Sequence, residues 1–372
     1  MRSRVNSSRL ERWYGKELTE NYVLAMKGWY GDPIPVAGGP SKIVVDENGY
    51  YGNFRLGEFF CLQDWMEDIL NTVSRKLRRM GRQQLATVQM AGLAGFADLL
   101  EVFRTNCQTI PFSKTSTNNA TGACQSLWAV ANAPIAGSAG AAAPGGTVHV
   151  STDTGAFPLV NPTASERMYI AGGRLYKTVV SVSQPVLLYD RLFSVAKTMN
   201  SNATEAVTGV PTRYQSTQTN ADSSADNNFL FIECQTVLAA TAHNWTVCTY
   251  TSSNGTTGQT LPSVPGNASC PVTRFDMPIN TWFCPLATGD RGILTLTQMQ
   301  CNALVATGAI NFVIGHPLAW LPYENVYQTV LDGIIGGFQL TRVFNSACLA
   351  LAEVMKTNST HTHSGYVNVV TR

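Results

Sequence analysis

The sequence predicts a mainly β protein. Its centre is an antiparallel β-sandwich, jelly-roll-like, preceded by an extended N-terminal arm and helices. Three observations predict it. After Ser151 the apolar residues shift towards a period of two, most clearly in Gly292-Ile-Leu-Thr-Leu-Thr-Gln-Met299. Turn dipeptides (Asn254-Gly255, Pro265-Gly266 and Gly289-Asp290) separate the runs. Charge is spread unevenly along the chain: 26 of the first 105 residues are charged, against 24 of the remaining 267. Several short strands with polar loops and few intervening helices make a sandwich the matching architecture.

Residues 1–56 form the arm. They carry eight aromatics, Trp13, Tyr14, Tyr22, Trp29, Tyr30, Tyr50, Tyr51 and Phe54, without a clear period, and Gly and Pro interrupt them between Gly31 and Pro40. Burying a large apolar side chain is worth about 1.5–3 kcal/mol, so these rings need the rest of the chain or a partner to cover them. Residues 57–105 read as helical. Phe59, Leu62, Met66, Ile69, Val73, Leu77 and Met80 follow spacings of three and four, and Gly81 ends or bends that helix. Leu93, Phe96, Leu100 and Phe103 mark a second helical face.

Residues 106–150 read as a Gly/Ala/Ser-rich linker region. Beyond Ile135, the run to Gly146 has no side chain large enough to build a core, so it is a linker or a thin covering loop. The sandwich is expected over 151–372. Its strands are predicted at 168–170 with 175–182, and at 186–193, 229–238, 245–251, 281–285, 292–299 and 309–314. Residues 346–356 read as a short helix or a buried strand, and 365–370 as a closing strand.

Composition narrows the function. The chain has 372 residues, 44% of them hydrophobic and only 13% charged, with a formal net charge of +2. That excludes a charge-driven disordered chain and argues against a broad basic surface for nucleic acid. Ser, Thr, Asn, Gln, Gly and Ala take the place of charges, as suits a surface covered by other protein. The start of the sequence lacks the apolar stretch of a signal peptide, and no run is clean enough to span a membrane, so a cytoplasmic origin is the default expectation.

Candidate chemistry is sparse. Nine Cys are present without a Cys-x-x-Cys and read as buried thiols. His361-Thr-His363 would put two imidazoles on one face of a strand, but a metal needs further ligands and the segment reads as a solvated tail. His149, His243 and His316 read as structural, as do the adjacent pairs Asp190-Arg191 and Asp290-Arg291. No nucleophile elbow and no phosphate-binding loop occurs. An enzyme is therefore not expected, and no cofactor or metal is assigned. Arg75, Lys76, Arg78, Arg79 and Arg82 form a basic cluster. It is a solvated helix face, a contact for an acidic protein, or a contact for nucleic-acid phosphate, the last without any recognition motif beside it.

Several segments in the second part resemble tailed-bacteriophage virion structural proteins. They are Phe157-Pro-Leu-Val-Asn-Pro162, Leu187-Leu-Tyr-Asp-Arg-Leu-Phe193, Leu286-Ala-Thr-Gly-Asp-Arg-Gly-Ile293, Gly315-His-Pro-Leu-Ala-Trp320 and Asn345-Ser-Ala-Cys-Leu-Ala-Leu351. The resemblance covers residues 157–354 and carries over no functional residue. It implies a head-associated structural protein made late in infection, located in the virion and assembled in the host cytoplasm. Early helices followed by many short strands fit a decoration (cement) protein on the head exterior. Its expected partners are the major capsid protein and itself, as a homo-oligomer and specifically a trimer, with neither membrane nor nucleic acid. The expected shell contacts are Trp13, Tyr14, Tyr22, Trp29, Tyr30, Arg75, Arg78, Arg79 and Arg82. Two rivals stand beside this reading: the major capsid protein itself, and a glycan- or receptor-binding adhesin using Trp245, Trp282 or Trp320.

Overall fold

The computed structural model describes residues 5–6, 44–46, 49–51 and 96–372, apart from 118, 164–165, 178–184, 218–222, 322–328, 333–340 and 357. Two compact units are separated, residues 1–90 and 91–372. In the first, Val5–Asn6, Val44–Asp46 and Gly49–Tyr51 make a three-stranded antiparallel sheet, so the arm read from sequence contains a local hairpin ending at Tyr50 and Tyr51. The helix expected over 59–80 lies outside the described residues.

The first described element of the second unit is helix α1 (Phe96–Thr105), which realises the second helical stretch of the sequence. Ten of the strands that follow are β1 (Cys107–Thr115), β2 (Cys124–Ser126), β3 (Met168–Lys177), β4 (Val186–Thr198), β5 (Phe229–Thr236), β6 (Asn244–Ser252), β7 (Ile293–Cys301), β8 (Ala309–Leu321), β9 (Leu349–Val354) and β10 (Thr362–Thr371). They build three antiparallel sheets. The middle sheet has the order β5-β8-β4-β9-β2, with Thr147–Val148 against β4. One outer sheet runs from Thr329–Asp332 through β3, β10 and β1 to Asn132–Ala133, and the other from Glu205–Ala206 through β7 and β6 to Gln259–Thr260.

Side-chain alternation explains the layering. On β4, Leu187, Tyr189, Phe193 and Val195 join a core with Trp245, Tyr250, Ile293 and Leu296 of β6 and β7. Val186 and Leu188 point the other way, into a core with Ile110, Phe112, Met168, Leu175 and Val367 of β1, β3 and β10. The middle sheet is thus buried on both faces, which is why β4, β9 and most of β5 are buried at consecutive positions rather than at every second one. The outer strand β1 is buried only at every second residue, with Ile110, Phe112 and Lys114 inward.

Several expectations need correction. Residues 106–150 do not form a linker region. β1 pairs with β10 along its whole length, β2 joins the middle sheet, and Trp128 is fully buried. The Gly/Ala/Ser run takes the second of its two readings, a covering loop: Gly137 N–H donates to the Trp128 carbonyl at 2.9 Å, and Trp128 Nε1–H donates to the Ser138 carbonyl at 2.8 Å. Small residues are required there because they approach large rings. Residues 281–285 form no strand; Cys284 N–H donates to the Leu230 carbonyl at 2.7 Å, and Phe283 stacks on Phe229 of β5. The ambiguous 346–356 segment is the buried strand β9, since both of its faces meet apolar layers.

Candidate functional site

Nine of the 24 charged residues after position 105 lie in the interior. Asp190 and Arg191 are adjacent on β4, so their side chains leave opposite faces and each takes a different partner. Arg213 Nε and Nη2 donate to the Asp190 carboxylate at 2.8 and 2.7 Å. Arg191 Nη2 and Nη1 donate to Glu233 of β5 at 2.5 and 3.3 Å. Asn311 Nδ2 adds a bond to Glu233 at 3.1 Å, and the Arg191 guanidinium lies 4.8 Å over the Trp128 ring. Burial pushes the Glu233 carboxyl up, but Arg191 outweighs it and holds the carboxyl below the ordinary range.

His149 completes this centre. Arg191 Nε–H donates to His149 Nε2 at 3.2 Å, so Nε2 is the acceptor and Nδ1 carries the proton given to Asp153 at 2.8 Å. Ser194 Oγ lies 2.7 Å from the same Nε2. Ser194, His149 and Asp153 are thereby in nucleophile-base-carboxylate order. Both Ser194 and His149 are buried, however, and Arg191 competes for the lone pair that a base would use. Burial pushes the His149 pKa down to about 4, and the Asp153 bond only partly opposes this.

A second centre joins the middle sheet to the β1/β3/β10 sheet. Glu353 of β9 meets His361 and His363, which a two-residue spacing puts on one inward face. Glu353 Oε2 lies 2.9 Å from His361 Nε2 and 2.6 Å from His363 Nε2, and the two Nε2 atoms are 3.0 Å apart. Gln125 Nε2 donates to the other Glu353 oxygen at 2.6 Å. All three side chains are fully buried, so the solvated-tail reading of His361 and His363 is overturned. The physical reason is register: β10 is the central strand of its sheet, and His363 pairs with Lys114 on one side and Lys177 on the other. Burial pushes the Glu353 carboxyl up, but the charge of His363 and the histidine hydrogen bonds hold it well below the ordinary range. Lys114 is pushed down to about 8 by burial, and its ammonium donates to the carbonyls of Val130 and Ile135 at 3.2 and 3.3 Å.

The shell-contact residues expected from sequence, Trp13, Tyr14, Tyr22, Trp29, Tyr30, Arg75, Arg78, Arg79 and Arg82, lie outside the described residues. Of the three tryptophans weighed for sugar stacking, Trp245 is buried and donates from Nε1 to Asp276 at 2.9 Å. Trp320 is exposed and meets Trp282 edge to face at 4.9 Å between centroids. Eight described cysteines are free thiols, seven of them buried. No helix among the described residues is long and apolar enough to cross a membrane.

No protein-family model matches the chain, and no curated protein matches it in sequence. Two solved structures show a distant likeness. One is that of T=1 particles derived from infectious bursal virus, at 9% identity over 71% of this chain and 77% of that one, with a TM-score of 0.16. The other is the VP2 subviral particle of infectious bursal disease virus, at 9% identity over 71% and 80%, with a TM-score of 0.15. Superposition at that level fixes neither a fold family nor a role.

Proposed function

We propose that this chain is a virion structural protein of the capsid type, and that it acts as a decoration (cement) protein on a phage head. The observation that carries the reading is the distribution of charge. Of the 24 charged residues after position 105, Lys114, Lys177, Asp190, Arg191, Lys197, Arg213, Glu233, Asp276 and Glu353 are buried. A sandwich already poor in charge therefore spends much of it inside. Its described exterior keeps few exposed charges, Arg174, Arg291, Lys356 and Arg372, beside uncharged polar groups and exposed apolar side chains such as Ile135, Val160, Val237, Ile279 and Leu304. Depletion of charge and exposed apolar groups are what the centre of a protein-protein interface requires. The sequence resemblance to tailed-phage virion proteins points the same way. On this reading the aromatic arm binds the major capsid protein, copies of the sandwich meet around a symmetry axis as trimers, and binding favours the assembled shell. The role is mechanical, and neither buried centre is assigned a reaction.

The deciding experiment is the copy number of this chain in purified virions, by quantitative mass spectrometry against every other head protein. A second protein of shell-subunit size at equal or higher copy supports the decoration role. If this chain is the most abundant and no such partner exists, it is the shell subunit. Trp320, exposed and edge to face with the half-buried Trp282, favours one further reading, a glycan-binding adhesin, which would show as a handful of copies per particle and as sugar binding lost in Trp320→Ala.

A further inference from the structure

With both histidines neutral, the Glu353 centre leaves one ring lone pair facing a carboxylate. His361 Nδ1 lies 3.0 Å from the Ser359 carbonyl, which can only accept. It also lies 3.1 Å from Ser116 Oγ, whose single proton goes to the His361 carbonyl at 3.1 Å. Nδ1 therefore carries the ring proton, and the neutral ring presents the Nε2 lone pair to Glu353 Oε2 and to His363 Nε2. One proton on His363 can serve the 2.6 Å contact with Glu353, but it leaves the lone pair of His361 facing a carboxylate oxygen at 2.9 Å. Something positive belongs between them.

Three metal-ligand atoms converge on one buried point. Ligands held at about 2.1 Å from a cation stand about 3.0 Å apart at right angles and about 3.4 Å apart in a tetrahedron. The three donor atoms here are separated by 2.6, 2.9 and 3.0 Å, so seating a cation requires the Glu353–His363 contact to open by a few tenths of an ångström, and these residues supply three of its ligands. Two imidazoles and one carboxylate form a borderline donor set, suited to zinc and its neighbours rather than to calcium or magnesium. The outer atoms of the donors are fixed as in built sites: Gln125 holds the second Glu353 oxygen, and Ser359 with Ser116 holds the far nitrogen of His361. The other histidine-containing cluster is different. There, His149 has both ring nitrogens engaged by Asp153, Arg191 and Ser194, and burial holds the Cys348 thiol far above its ordinary range and so keeps it protonated.

We propose that Glu353, His361 and His363 bind a divalent transition-metal ion, zinc by donor type, which fastens β9 of the middle sheet to β10 of the outer sheet. Complete burial makes the ion structural. Its contribution joins two layers across the short connection 355–361, and it does not depend on the role proposed for the protein in a virion.

The test uses the full-length chain purified without a histidine tag, loaded with zinc sulfate, desalted and assayed for metal, with thermal unfolding followed in parallel. One tightly held zinc per chain is expected. A chelator should lower the Tm and returning zinc should restore it. The double variant Glu353→Gln/His363→Gln, checked for folding by circular dichroism, should hold essentially none. If that variant does not fold, zinc-edge X-ray absorption of the wild-type protein decides, with nitrogen and oxygen neighbours and no sulfur expected. Three results overturn the proposal: a zinc-free protein whose Tm ignores both chelator and zinc, full zinc retention in the folded double variant, or sulfur around the ion. The first of these would put an imidazolium proton where the cation is proposed.

Discussion

Arg191 and Glu233 form a two-pronged ion pair across β4 and β5 with no exposure to solvent on either side chain. Such a pair is costly to desolvate, and its net contribution is small. Breaking it is another matter, because the remaining charge has no water to turn to. Glu233→Gln should lower unfolding stability by about 3–5 kcal/mol, with Arg191→Met alone in the same range. The double replacement Arg191→Met/Glu233→Leu should recover a large part of the loss. Urea unfolding of the three variants checks this. If the single losses simply add in the double variant, the pair is not acting as a unit.

His149 predicts the acid response. Its pKa in the fold is pushed down to about 4 from an ordinary 6.5, so the folded protein keeps it neutral where the unfolded chain takes a proton. Its stabilising effect is therefore complete above about pH 6.5 and falls as the pH drops towards 4, by about 1.4 kcal/mol per unit. The lowered carboxyls Asp153 and Glu233 add losses of the same sign, beginning as the pH falls through the ordinary carboxylate range. Burial likewise pushes His316 down to about 3, so denaturation midpoints from pH 7.5 to pH 5 should decline in the wild type and decline less steeply in His149→Gln. An unchanged slope in the variant would place the titration elsewhere.

The sandwich was legible because period-two runs and turn dipeptides are local signals, and β7 and β10 appear close to where those signals put them. Two other things were hidden. Residues 106–150 carry little bulk, and the partner that makes β1 a strand is β10, more than two hundred residues away. The second was Glu353. The spacing of His361 and His363 showed that two imidazoles share a face, but the third donor arrives by the stacking of one sheet on another. Burial of the histidines follows from the same non-local pairing, which is why a Ser/Thr-rich stretch near the end of the sequence reads as a tail.

Gly137 tests the covering segment. A Cβ built on it would fall inside the Trp128 indole, whereas one on Gly145 in the same run meets nothing within 4 Å. Gly137→Ala should therefore lower stability by about 1–3 kcal/mol through overpacking. Gly145→Ala should stay within about 0.5 kcal/mol of wild type. Trp128 fluorescence should shift in the first variant and not in the second. Equal behaviour of the two would mean that residues 135–146 do not rest on the core in solution.

The charge distribution makes the last prediction, which separates two ways of holding a shell. If aromatic residues of the arm and the uncharged sandwich surface supply the contact, attraction comes from apolar burial and salt has little to screen. If Arg75, Arg78, Arg79 and Arg82 supply it by pairing with acidic groups, affinity falls steeply between 0.1 and 1 M salt, as the Debye length shrinks from about 10 to about 3 Å. Co-sedimentation of the full-length protein with shells lacking it should give an affinity that changes less than about threefold over that range, a difference below about 0.7 kcal/mol. Removing residues 1–56 should abolish co-sedimentation while leaving the circular dichroism of the β-rich unit in place, since that unit begins at Ala91. Binding that survives the truncation but disappears in high salt would transfer the contact from the aromatic arm to the basic cluster.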